Sequence, residues 1–153
     1  MGLNLWSVVL GYYGLAIISA VLPWVNAEVL MISAIPVAAS RSGLAALVIA
    51  VSAGQMTGKS LMYWLSRTST RLRSPLVEGA IRQWRRRMGQ RPGATLAVTF
   101  LSALIGVPPF FVVSMAAGAL DVSFPRFLVV GAAGRLVHFA VVACVPELLW
   151  ETL

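Results

Sequence analysis

The sequence predicts an all-α integral membrane protein: an inverted repeat of a re-entrant helical hairpin plus a transmembrane helix, with a cytoplasmic amphipathic helix between the repeats. Three observations carry that expectation. Of the 153 residues, 59% are hydrophobic and only 11% charged, and the mean hydropathy of +0.86 is more than a water-soluble domain this small can hide. The apolar residues come in blocks, and two of these, 43–66 and 126–150, reach the roughly 20 residues that span a bilayer core. Two further apolar stretches, 5–40 and 93–120, are interrupted near their middles by proline or polar residues.

Segment 5–40 has one limb from Leu5 to Leu22 and another from Val29 to Ala39, with Pro23, Asn26 and Glu28 between them. A full crossing by residues 5–22 is the alternative to a hairpin limb. Met1 to Asn4 carries no Lys or Arg and Val25-Asn26-Ala27 is a poor cleavage site, so this stretch reads as retained rather than as a secretory signal. Trp6 stands where N-myristoylation needs Ser or Thr. Segment 93–120 repeats the layout, with Gly93–Ile105 and Phe110–Leu120 flanking Gly106-Val107-Pro108-Pro109. Limbs of that size reach only about 17–20 Å as helix, short of a core of about 30 Å. A single span kinked at Pro108 and Pro109 is the competing description, because neighbouring helices can satisfy the freed carbonyls.

Segment 67–92 holds Arg67, Arg71, Arg73, Arg82, Arg85, Arg86, Arg87 and Arg91 against one acid, Glu78. The net charge of +7 is thus concentrated beside apolar spans, which points to topology and anionic lipid rather than to nucleic acid. Ser74-Pro75 is a helix-start signal, Leu76, Ala80, Ile81, Trp84 and Met88 share one helical face, and Gly89 stops it. That pattern predicts an interfacial helix whose Trp84, Arg82, Arg85, Arg86 and Arg87 meet lipid headgroups; a solvated basic loop is the plainer alternative. With the loop cytoplasmic, each hairpin returns to its own side, each long helix crosses once, and both termini lie outside. Arg126 then joins the eight arginines inside, while Arg41 lies outside with the acidic Glu147 and Glu151, so charge bias and parity agree. The expected location is a bacterial inner (plasma) membrane, with a multi-pass topology. Gly58-Lys59 followed by Tyr63 and Gly134-Arg135 followed by Phe139 form a short echo between the two halves, as an inverted repeat would.

Ala53 to Ser60 superficially matches a phosphate-binding loop, but it lies inside an apolar run whose amides a helix would use itself. Gly54 and Gly58, and likewise Gly131 and Gly134, read instead as small residues at close helix contacts. The informative residues are the ionisable groups at membrane depth: Glu28, Lys59, Arg135 and His138. A charge at the centre of a membrane helix costs about 2.5–3.5 kcal/mol on insertion scales, so these must face inward and pair. Glu28 and Arg135 are the expected partners, whereas Lys59, nearer the cytoplasmic end, can snorkel. Such a group is either an ion pair that fixes packing or a substrate and coupling-ion site beside broken helices. His138 alone is more often a packing residue, although imidazole suits a proton relay. Cys144, the only cysteine, is assigned to packing. No carboxylate pair, nucleophile triad or metal-ligand cluster is present, so no catalytic residue, metal, cofactor or enzymatic activity is expected. The expected partners are membrane lipids of anionic or phosphate-bearing kind, and protons, with a homodimer left open.

At these residues the sequence resembles the DedA family, also called the VTT or SNARE-associated Golgi protein family, and its short YqaA-type branch. Ser19 to Val29 looks like the family's proline-to-glutamate segment, Gly58-Lys59 with Tyr63 to Arg67 like its second motif, and Ala116 to Phe127 with Gly131 to Phe139 like its second hairpin exit and final helix. The resemblance covers nearly the whole chain. It implies a membrane lipid transporter, a polyprenyl phosphate flippase or phospholipid translocator, with Glu28 the acid in proton coupling. Lys59 departs from the family's acidic residue, and Leu104 to Pro109 stand where larger members carry an arginine motif. Phosphate recognition would then fall to Arg135 and Lys59. A non-transporting membrane interaction module and a small-ion transporter are the competing functions.

Overall fold

The computed structural model describes residues 4–22, 25–38, 40–69, 82, 86 and 92–151, with side chains up to Cys144 except at position 92. Among the described residues there are six helices and no strand: α1 (Leu5–Val21), α2 (Ala27–Ala34), α3 (Arg41–Thr68), α4 (Pro92–Ile105), α5 (Phe110–Ala119) and α6 (Phe124–Glu151). Helices α3 and α6 have 28 residues each, about 42 Å at 1.5 Å per residue, and both are apolar and long enough to cross a membrane. The other four have 17, 8, 14 and 10 residues, and even α1, at about 26 Å, falls short of a core of about 30 Å.

Local chemistry sets the breaks. Leu22, which precedes Pro23, is extended at φ −94°, ψ 107°, as a residue before proline prefers. Asn26 then caps α2, its Oδ1 accepting from the Glu28 amide at 2.8 Å and the Val29 amide at 3.4 Å, which satisfies donors that the first helical turn leaves open. Helix α2 stops at Ala34, five residues short of the limb expected from hydropathy; Ile35 keeps helical dihedrals, but Pro36 has no amide with which to continue the backbone ladder. Ser40 Oγ accepts from the Gly43 amide at 3.1 Å and so caps the start of α3. After Ile105 the chain turns at Gly106, whose φ of +82° suits glycine alone. Helix α5 restarts after Pro109, whose carbonyl accepts from Val112 and Val113.

The chain divides into two compact units, residues 1–58 with 135–153 and residues 59–134. In the first, α1, α2, the start of α3 and the end of α6 enclose Ala16, Met31, Leu47, Val51 and Phe139. Tyr12 donates to the Ser33 carbonyl at 2.9 Å and ties α1 to α2. Gly54 and Gly58 lie against α1: a Cβ at Gly54 would sit 2.4 Å from the Tyr13 carbonyl oxygen, and one at Gly58 would sit 2.4 Å from the Ala20 Cβ. Between those contacts the buried amide of Gln55 donates to the Ala16 carbonyl at 3.2 Å and to Ser19 Oγ.

In the second unit α4 and α5 are separate helices lying side by side, with Thr95, Val98 and Thr99 facing Val113, Ala116 and Ala117. That arrangement replaces the single kinked span. A Cβ at Gly118 would fall 2.1 Å from the Tyr63 carbonyl oxygen, so α5 touches α3 backbone to backbone. Phe127 stacks on Tyr63 and on Phe110.

Polarity is distributed as lipid demands. Trp6, Leu10, Val29, Ile49, Val107 and Val129 are exposed, whereas Ser52, Gln55, Lys59, Thr99, Ser114 and Arg135 are buried. The buried hydroxyls of Ser52, Thr99 and Ser114 donate to carbonyls one turn earlier, at 2.7, 2.8 and 2.6 Å, which hides them without a partner helix. Within the basic segment, Arg82 and Arg86 are helical and exposed. Trp84, Arg85, Arg87 and the rest of the expected amphipathic helix lie outside the described residues, as does Pro23.

Candidate functional site

The Asn26 cap sets Glu28 at the second residue of α2, where the carboxylate meets α6. Its Oε1 lies 3.2 Å from His138 Nε2. An ionised carboxylate only accepts, so Nε2 carries the proton of that bond. Arg135 is three residues earlier on α6 and shares the face of His138. It is only 6% exposed; its Cζ lies 5.6 Å from the centroid of the core residue Phe139, and Glu28 is the acid whose field acts on it. Openness rises outward through the cluster, since the His138 side chain is 15% exposed and that of Glu28 is 42% exposed. The cation is sealed in and the acid is accessible.

The direct contact of Glu28 is therefore with His138, which sequence reasoning treated as a weak candidate beside the expected Glu28–Arg135 pairing. Its signal was the i, i+3 spacing of His138 after Arg135, two bases on one face of an apolar helix.

Lys59 belongs to the other unit. It is 5% exposed instead of snorkelling, and its Nζ lies 5.8 Å from the centroid of Phe111. Phe111 is the second residue of α5 as Glu28 is of α2. Gly134, immediately before Arg135, approaches the Phe100 carbonyl oxygen and the Ala103 Cβ of α4, and Gly58, immediately before Lys59, approaches the Ile17 carbonyl oxygen and the Ala20 Cβ of α1. In each case the glycine meets a carbonyl and the alanine three residues on, so the short echo in sequence is matched by a repeated contact. Gly131 is buried. Pro108 and Pro109 form the break after α4; the Pro108 carbonyl accepts from Ser102 Oγ.

A second polar cluster escaped the sequence analysis, in which Arg67 figured as loop charge and as the end of the Tyr63 to Arg67 motif. Arg67 Nη1 donates to Tyr63 Oη at 2.7 Å and its Nε lies 3.4 Å from Asp121 Oδ1, while Tyr63 Oη donates to the Val122 carbonyl. These bonds fasten the end of α3 to the turn before α6. An aspartate in a short turn between two apolar helices was the available signal. Among the described residues no three His, Cys, Asp or Glu side chains come together as metal ligands.

Comparison with known families settles the lineage. A model of the VTT domain matches residues 22–147, which takes in both breaks, all of α3, most of α6 and all four ionisable groups. The chain belongs to the VTT-domain family, the family also called DedA. VTT-domain proteins are membrane proteins, in keeping with the two long apolar helices of this one. Neither the curated proteins nor the solved structures compared with the chain gave a match.

Proposed function

We propose that this VTT-domain protein is a membrane lipid translocator, moving a polyprenyl phosphate or a phospholipid, in which Arg135 attracts the anionic headgroup and the Glu28–His138 pair exchanges a proton. The observation that supports it most is the cluster at the start of α2: a sealed guanidinium behind an accessible carboxylate and an imidazole, where two helices of less than membrane length meet. A headgroup crossing hydrocarbon needs a polar path, and broken helices supply one by bringing ionisable side chains and helix ends to half depth. Chemistry on the lipid is not part of this proposal.

The same proposal makes the α1–α2 and α4–α5 pairs re-entrant, the two halves an inverted repeat in a bacterial inner membrane, and the arginine-rich segment cytoplasmic. Single cysteines at Ser69, Ser42 and Thr152 in a Cys144→Ala background test the orientation with an impermeant reagent on intact cells. Labelling is expected at 42 and 152 only; protection of 42 with reaction at 69 reverses the topology.

The function itself is tested by reconstitution into liposomes carrying labelled undecaprenyl phosphate or labelled phospholipids. Exchange between leaflets above that of empty liposomes is expected for at least one lipid class. Exchange equal to empty liposomes for every lipid, with folded protein, rejects translocation in favour of a membrane interaction module, which the exposed helical pair Arg82 and Arg86 would serve. A response of membrane current without lipid exchange points instead to a small-ion transporter.

A further inference from the structure

Two bases on one face of α6 share one acid, and that arithmetic decides where a proton goes. With Glu28 ionised, His138 neutral and Arg135 charged, the cluster is electrically balanced. A phosphodiester anion drawn to Arg135 adds one negative charge, and in a low-dielectric surround the balance returns only if one proton enters with it. The cluster itself offers two acceptors, the Glu28 carboxylate and the His138 imidazole. The other titratable side chains described in this unit are engaged elsewhere or exposed. Tyr12 on α1 is bonded to Ser33, Tyr13 to Thr57, α2 adds no ionisable group besides Glu28, Arg41 is exposed at the start of α3, and Cys144 on α6 is exposed.

We infer that His138 is the positioning residue that carries the coupled proton: when an anionic phosphodiester headgroup engages Arg135, the Glu28 carboxylate stays bonded to His138, whose ring takes one proton from water. The inference rests on the proposed translocator function and assigns the proton within the same site. Geometry favours the imidazole. Nε2 already donates toward Glu28 Oε1 across 3.2 Å, so a proton arriving at Nδ1 leaves that bond in place and turns it into an ion pair with both partners charged. Protonation of Glu28 instead makes the carboxyl a donor facing a donor, and the bond survives only if the imidazole changes tautomer. As classes, imidazoles also bind protons about two pH units above carboxyl groups.

The test measures proton uptake on anion binding to the full chain in detergent, by isothermal titration calorimetry in buffers of different ionisation enthalpy. The probes are dihexanoyl phosphatidylglycerol and dimethyl phosphate, phosphodiesters with a fixed single charge, so that any proton taken up belongs to the protein. At pH 7.5 the wild-type protein should take up about one proton per anion bound. His138→Gln, which keeps an amide donor near the Nε2 position, should still bind the probe with uptake near zero. Uptake with the lipid alone supports a lipid headgroup as the anion; uptake with both probes supports recognition of the phosphodiester itself, whether lipid-borne or free. Undiminished uptake in His138→Gln overturns the inference and puts the proton on Glu28. Wild-type binding without uptake overturns it too, while leaving translocation in place; failure of the folded wild type to bind either probe removes Arg135 as an anion site and the inference with it. Should His138→Gln fail to fold, the imidazole 15N shifts of the wild type decide, since His138 is the one histidine of the sequence: a ring that becomes protonated when the probe binds supports the inference, and a ring that stays neutral overturns it.

Discussion

The first helix pair puts a carboxylate, Glu28, at the second residue of its outgoing helix, where α6 meets it with an imidazole and a buried guanidinium; the second pair puts a phenyl ring, Phe111, at the same place, under a buried ammonium. One packing device recurs. The glycine before each cation, Gly58 before Lys59 and Gly134 before Arg135, is seated on a carbonyl and an alanine of a short helix within the glycine's own unit. What repeats is the part that brings helices close, and what differs is the part that can titrate. A benzene ring holds a cation through its quadrupole without titrating itself, whereas a carboxylate holds it only while ionised. The first site can therefore change its charge through Glu28 and His138, and Phe111 at the matching place in the second cannot.

The shared packing should be the costliest feature to disturb. Gly118→Ala, whose Cβ would meet a backbone oxygen at 2.1 Å, is expected to hurt most, followed by Gly54→Ala at 2.4 Å from a backbone oxygen, and then Gly134→Ala, whose nearest neighbour is the Ala103 Cβ at 2.7 Å. Overpacking of this kind costs about 1–3 kcal/mol and more where backbone must move. Thermal unfolding in detergent should rank the three in that order, and wild-type melting of Gly118→Ala would mean that α5 does not need its close seat on Tyr63.

The charged site comes next. Glu28→Gln removes the acid whose field acts on buried Arg135, with a cost expected below the about 3–5 kcal/mol of a fully buried pair because Glu28 is half-open. Glu28→Gln with Arg135→Gln together should melt above the sum of the two single losses. Strict additivity of the melting shifts would separate the two residues energetically and leave His138 as the partner of Glu28. In the second unit Phe111→Leu is expected to cost about 1 kcal/mol through the lost cation–π contact, which sharpens the contrast between the two tips. Smallest of all is Asp121→Gly. It gives up a pair whose side chains are 37% and 57% exposed, worth about 0.2–1 kcal/mol, but relieves a residue held at φ +57°, where glycine is at ease. A net change within about 0.5 kcal/mol is expected, and a loss beyond 2 kcal/mol would make the Arg67 cluster a fastening that the fold requires.

Much of this was legible in the sequence because it depends on local chemistry. Block hydropathy gives the two long helices, Pro23 with Asn26 gives the first break, and Gly106 to Pro109 gives the second. The end of α2 was also readable, since Pro36 outranks the apolar run that continues to Ala39. The pairing of Glu28 was not. That Arg135 and His138 share a face follows from spacing, but which of them meets an acid on α2 depends on how closely α1, α3 and α6 approach, and that is fixed by contacts such as Gly54 on Tyr13 and Phe139 in the core. Lys59 was misplaced for a related reason. Position along a helix says that a lysine can reach an interface, and only the docking of α5 on α3 through Gly118 and Tyr63 encloses it.

The central claim is that the first unit holds the proton-responsive part of a lipid translocator, and leaflet exchange of labelled lipid in proteoliposomes under an imposed pH gradient tests it most directly. The wild type should exchange lipid faster with the gradient than without it, Glu28→Gln should exchange at one rate in both conditions, and Phe111→Leu should respond as the wild type does. A gradient response in Glu28→Gln equal to that of the wild type would contradict the account.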